Sequence, residues 1–179
     1  MSYWLDAEQR MQRSGLDSNG VLLLISGTAY FVYLGYSLVP ITPQFVETQL
    51  TVVGAGAQTA EVGLFSTPLP PNKAAQSLTP LVATGTVDSL TAGVVVKRNT
   101  VAFATQIAAG VHVWAGIRTA MAVTQPTLGA LAGDFAQGWV LSLPGSGVLT
   151  GAGPFAGALI ALGALNTTPI CPDLRATLD

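Results

Sequence analysis

The sequence predicts an all-β fold, an antiparallel β-sandwich, and three observations carry that reading. Short apolar or alternating runs recur along the chain, each bounded by Gly, Pro, Asn or Ser. Several of those runs alternate with period two, the pattern of a strand with one buried face. Prolines interrupt the longer apolar stretches, at Pro40, Pro43, Pro144, Pro154 and Pro169, which excludes continuous helices through them.

The elements follow in order. Residues 1–20 are polar and helix-forming around Leu5–Arg13, with Asp6 near the start and Arg13 near the end, a polarity that suits the helix dipole. Gly15 is a plausible stop. A piece this short is unstable alone, so it reads as a short helical or extended arm, with Trp4 and Met11 as its docking groups. No apolar core follows the polar start, so no secretory signal peptide is expected.

Residues 21–179 form the expected sandwich domain. Val21 to Val39 is apolar enough to raise a membrane span. The run Val21–Ile25 stops at Ser26-Gly27-Thr28, however, and Tyr30–Tyr36 is aromatic and β-branched. Two strands fit better than one helix, and no membrane segment is expected. Val46–Val52 and Ala60–Phe65 alternate as half-buried strands, separated by Gly54-Ala55-Gly56. Pro68–Asn72 is a rigid loop. Leu78–Ala83 suits an edge strand because Pro80 lacks a donor. Gly85–Asp88 gives a turn and a short strand. Gly93–Lys97 and Thr100–Ala104 are placed to pair across Arg98-Asn99. Gly110–Met121 is the clearest strand: Val111, Val113, Ala115, Ile117 and Met121 fall on one face, and His112, Trp114, Gly116 and Arg118 on the other. Gln137–Leu143 and Gly157–Leu165 read as the last strands, the Ala and Leu content of the latter also permitting a helix, and the set as a whole suggests a jelly-roll-like arrangement.

Composition bounds function. Of 179 residues, 9% are charged and 50% hydrophobic, against about 25% charged in an average domain. So little charge implies a surface covered by copies of the chain or by a partner. Seven Lys and Arg residues are scattered without a basic run, so nucleic-acid binding is not expected. Cys171 is the single cysteine and builds no disulfide framework. With one histidine, His112, and one cysteine, a zinc site lacks ligands. No nucleophile elbow, phosphate loop or dinucleotide fingerprint occurs. No catalytic, cofactor-binding or metal-binding residues are assigned, and the chain is read as not an enzyme. The candidate site residues are instead interface anchors: Trp4, Met11, Tyr30, Tyr33, Tyr36, Trp114, Arg118 and Trp139, since Trp, Tyr and Arg dominate binding energy at interfaces.

Three stretches carry a resemblance. They are Ala57 to Pro68, Gly85 to Leu90 with Val96 to Thr100, and Ala109-Gly110 with Val113 to Ala120. These resemble β-sandwich virion proteins of tailed bacteriophages, across roughly residues 45–165. The resemblance implies a capsid decoration (cement) protein, a head fibre or a tail protein, commonly a homotrimer. Its partners would be its own copies and the major capsid protein or another virion protein, and its location the virion. The alternative is a tail-fibre or receptor-binding protein that recognises a host surface glycan or protein, using loop aromatics such as Phe135 and Trp139.

Overall fold

The computed structural model describes residues 20–27, 29–68, 76–80, 85–132, 147–149, 160–162 and 170–178. All the regular structure there is β, and every strand pairing is antiparallel. The arm at residues 1–19, the loop from Leu69 to Asn72 and the stretch Gln137–Leu143 lie outside the described residues.

Two sheets share the strands. The first has the order β1 (Gly20–Leu23), β9 (Thr127–Ala132), β3 (Pro43–Val52) and β13 (Leu174–Leu178). Two short strands join it, β7 (Val96–Arg98) on β3 and β12 (Ile170–Pro172) on β9. The second has the order β10 (Gly147–Leu149), β2 (Ala29–Ser37), β8 (Val111–Met121), β4 (Gln58–Thr67), β5 (Gln76–Pro80) and β11 (Ile160–Leu162), with β6 (Gly85–Thr86) also on β4.

One apolar core joins the sheets. Val46, Leu50, Leu128 and Leu174 come from the first; Tyr30, Leu34, Val62, Leu64, Val113, Ala115 and Ile117 come from the second. Period-two alternation puts them there. In β8 the odd residues Val113, Ala115 and Ile117 face inward, as their pairing with Leu64 and Val62 requires. In β3 Pro43 at the start is buried, then Val46, Thr48 and Leu50 in alternation, until a register shift between Leu50 and Val52 leaves Val52 exposed.

The predicted break at Ser26-Gly27 is present, and it does more than turn the chain. It carries it from the first sheet to the second, because β1 pairs with β9 and β2 with β8. Gly27 has φ of +74°, which favours glycine, and its N–H donates to the Thr119 carbonyl at 2.7 Å. No helix among the described residues is long and apolar enough to cross a membrane.

Three expectations change. The pairing of Gly93–Lys97 with Thr100–Ala104 does not form. β7 joins β3 instead, with Glu47 opposite Arg98, and residues 100–106 run without strand. Side chains satisfy the irregular backbone just before β7: Gln58 accepts from Leu90 N–H at 2.7 Å, and Lys97 Nζ donates to the Ala92 carbonyl at 2.6 Å. Leu90 before β7, and Phe103 and Ile107 after it, anchor these segments to the core. Second, β5 is not an edge. It lies between β4 and β11, and Pro80 sits past its last β11 pair, at Leu78. Third, β9, β12 and β13 were not anticipated. β12 descends along β9, and after Asp173 the chain ascends along β3, so the two fill the fork where β9 and β3 diverge. Asp173 N–H donates to the Gly129 carbonyl at 2.9 Å at that apex.

Candidate interaction surface

The two sheets differ in what lies on their outer faces. On the second sheet, Phe31, Phe65 and Trp114 point away from the core, yet all three are fully buried. Register explains how they fit. Phe31 pairs with Gly116, and Gly116 with Gly63, so two glycines leave a flat strip beside the rings. A Cβ on Gly116 would lie 2.8 Å from Phe65 Cε2 and 3.0 Å from Phe31 Cε1. Phe31 and Phe65 meet edge to face with centroids 5.1 Å apart. This sheet therefore buries side chains on both faces.

The first sheet buries its inner face and leaves apolar groups on its outer one. Val21 is 59% exposed and Leu23 62% exposed on β1, and Val52 is 55% exposed on β3. Leu23 and Val52 both pair with Thr127 of β9, so they occupy one row across three strands. Farther along β3, Phe45 and Glu47 share this face with Arg98 and Val96 of β7 and with Arg175 of β13. The Arg98 guanidinium lies over the Phe45 ring at 4.2 Å. Arg175 also reaches Asp173 at 3.4 Å. The result is an apolar flank at β1 and Val52 beside a polar flank at Glu47 and the two arginines.

The anticipated anchors among the described residues all lie on the paired strands β2 and β8, in unlike surroundings. Tyr30 is buried in the core; its hydroxyl accepts from Ile25 N–H at 3.0 Å, and burial pushes its pKa up. Trp114 is buried within the chain. Arg118 is half-buried, and its Nε donates to the Gly27 carbonyl at 3.1 Å, so it braces the β1–β2 turn. Tyr33 pairs with Trp114 through β2 and β8, and of its side chain nothing is described. Trp4, Met11 and Trp139 lie outside the described residues. Tyr36 is 40% exposed. A bulge between Tyr33 and Gly35 turns its ring onto the face of His112, with ring centroids 4.8 Å apart.

His112 is the most titratable group near neutrality, and partial burial lowers its pKa. The native state then holds the neutral ring while the unfolded chain takes up a proton, so its contribution is lost as pH falls below about 6.5. Thermal melts of the wild type are expected to drop between about pH 7 and 5.5, with a shallower drop in His112→Gln. Equal slopes would remove His112 from the effect. Among the described residues no three His, Cys, Asp or Glu side chains gather as a metal site would need.

Family models, curated proteins and solved structures give no match to this chain. Its surface is thus interpreted from its own chemistry. The residues that distinguish the outer face of the first sheet — Val21, Leu23, Val52, Val96, Phe45 and Arg98 — were not among the predicted anchors. Anchor selection by residue type favours Trp and Tyr, and the fold buries two of those chosen, Tyr30 and Trp114. The signal that would have found them is the alternation of β3, whose odd positions Phe45, Glu47 and Gln49 face outward.

Proposed function

We propose that this chain is a non-catalytic structural protein of a phage virion, one that decorates the capsid and stabilises the shell. The two sheets are taken as a jelly-roll-like β-sandwich, with residues 1–20 as an arm that grips a neighbour. Oligomers, trimers by the resemblance, would sit on the major capsid protein, each adding buried area that favours the assembled shell.

One observation carries the reading: the outer face of the first sheet exposes aliphatic side chains on β1, β3 and β7, in a chain with 9% charged residues. Exposed apolar groups gathered on one face mark a protein-binding surface. The mixed flank of Glu47, Arg98 and Arg175 would supply orientation rather than affinity. The alternative, host-receptor recognition through Phe135 and Trp139, rests on residues outside those described.

The test is co-sedimentation of the purified protein with expanded empty shells of the virus that carries the gene. Saturable binding is expected, weakened about tenfold or more by Val52→Asp combined with Val96→Asp. Protein that stays in the supernatant at every shell concentration overturns the proposal.

A further inference from the structure

Strand β1 ends the first sheet, and among the described residues it pairs only with β9. Which of its backbone groups face the open edge follows from two hydrogen bonds. Leu24 N–H donates to the Pro126 carbonyl at 3.2 Å, so the even residues of β1 direct their backbone groups at β9. The Gly129 carbonyl, opposite Val21, accepts from Asp173 N–H on the far side of β9, as the same phase requires. Val21 and Leu23 therefore turn both N–H and C=O toward the open edge. Ile25 lies on the same phase, but its N–H is already taken by the Tyr30 hydroxyl at 3.0 Å. Among the described residues, the open edge of β1 itself thus offers four backbone groups, two donors and two acceptors, on Val21 and Leu23.

Natural edge strands are guarded by lysine, proline, a bulge or an inward charge. β1 has none of these: its sequence is Gly20-Val21-Leu22-Leu23, and its register with β9 is unbroken. The side chains beside the open groups are Val21 and Leu23, both more than half exposed.

We propose that β1 pairs antiparallel with β1 of a second copy of this chain, about a twofold axis that sets Leu22 opposite Leu22 of that copy. In this register Val21 lies opposite Leu23 of the other copy and Leu23 opposite Val21. All four open groups on each strand are satisfied, in two hydrogen-bonded pairs. A shift by two residues toward Ile25 would set Val21 opposite Ile25, whose N–H is taken by Tyr30, and leave the Val21 carbonyl unmatched.

Charge selects a second copy over a foreign strand. A twofold contact brings each segment against its own antiparallel copy, so any charge on it would meet like charge or a nearby one. The sequence from Ser18 to Val46 has no charged residue at all. The paired side chains are aliphatic on both sides, and cross-strand aliphatic pairs stabilise a sheet. The joined sheets also bring Val52 and Leu23 of one copy into line with Val21 of the other on one outer face. The contact stands whether or not that face binds a capsid. It is compatible with a threefold contact elsewhere, in which case the two together give a hexamer.

Sedimentation velocity on the full chain tests this. Val21→Lys with Leu23→Lys alters two exposed side chains and is expected to halve the assembled mass, dimer to monomer or hexamer to trimer, with the β circular dichroism retained. An unchanged mass overturns the proposal, as does a wild type that is monomeric at all concentrations. Should the lysine variant fail to fold, cross-linking gives the answer. In a Cys171→Ser background, Leu22→Cys is expected to oxidise to a covalent dimer, since facing residues of a non-hydrogen-bonded pair are about 4.5 Å apart at Cα, within disulfide range. Val21→Cys meets its own copy two residues out of register and is expected not to cross-link. The reverse pattern, or no cross-link at position 22, overturns the register. Halved mass without shell binding would leave this contact standing and remove the capsid role.

Discussion

Replacing Trp114 with alanine is expected to destabilise the protein by about 3–5 kcal/mol, the cost of truncating a large, fully buried aromatic side chain. The side chain has no exposed surface, and through β4 it pairs with Phe65, itself fully buried. The adjoining strip at Gly116 and Gly63 offers no side chain that could move into the space. The neighbouring rings of Phe31 and Phe65 already meet edge to face, so closing a cavity would cost their contact as well. Denaturant titration of Trp114→Ala measures the loss. Its dependence on protein concentration decides the role of the residue. A loss that is the same at every concentration makes Trp114 part of the interior. A loss that disappears on dilution makes it an anchor between copies. Burial within a single chain predicts the first outcome.

The position of Trp114 also shows which parts of the fold were legible. Strand β8 alternates without interruption, so its two faces could be separated residue by residue, and Val113, Ala115 and Ile117 do face the core. What alternation does not reveal is what covers the opposite face. A tryptophan and an arginine on that face look like exposed anchors when only one strand is considered. Pairing of β8 with β4 sets Trp114 opposite Phe65, about fifty residues earlier, and both side chains are interior. The same limit applies to Val21–Ile25. Five apolar residues in succession give no period, and only pairing with β9 separates Leu22 and Leu24, which face the core, from Val21 and Leu23, which do not. Strands β9 and β13 were missed for different reasons. Thr127–Ala132 is rich in small residues and reads as a continuation of a turn. Leu174–Leu178 does alternate, but its five residues follow Pro169 and Pro172 closely enough to look like a tail.

Asn99 gives the other large expected effect, and it reverses a reading made from turn chemistry. Arg98-Asn99 looked like a reversal between two strands, because asparagine favours turns. The residue is instead buried, and two of its bonds reach β3, far back in the sequence. Its Oδ1 accepts from Val46 N–H at 2.7 Å, and its Nδ2 donates to the carbonyls of Gln44, at 3.2 Å, and Val101. One amide thus ties the irregular stretch after β7 to the strand β3 that carries the outer face. Asn99→Ala takes this partner from Val46 N–H and from the Val101 carbonyl, while the Gln44 carbonyl keeps the Phe103 N–H at 2.7 Å. Each buried unsatisfied group costs about 1–3 kcal/mol, so a loss of about 2 kcal/mol or more is expected in denaturant titration. Asn99→Asp separates the amide's bonding from its volume. A carboxylate keeps the acceptor for Val46 N–H but sets negative oxygen against two carbonyls, which raises its folded pKa above the unfolded value near 4. The sign follows: the native state of that variant holds the proton more tightly, so the deficit is largest at neutral pH and shrinks as pH falls through the folded pKa. A protonated carboxyl can donate to one of the two carbonyls, and partial recovery toward the wild type near pH 4 is the expected result. If the deficit of Asn99→Asp were the same at pH 7 and pH 4, the two carbonyls would not be its partners, and the peg joining this stretch to β3 would have to be sought elsewhere.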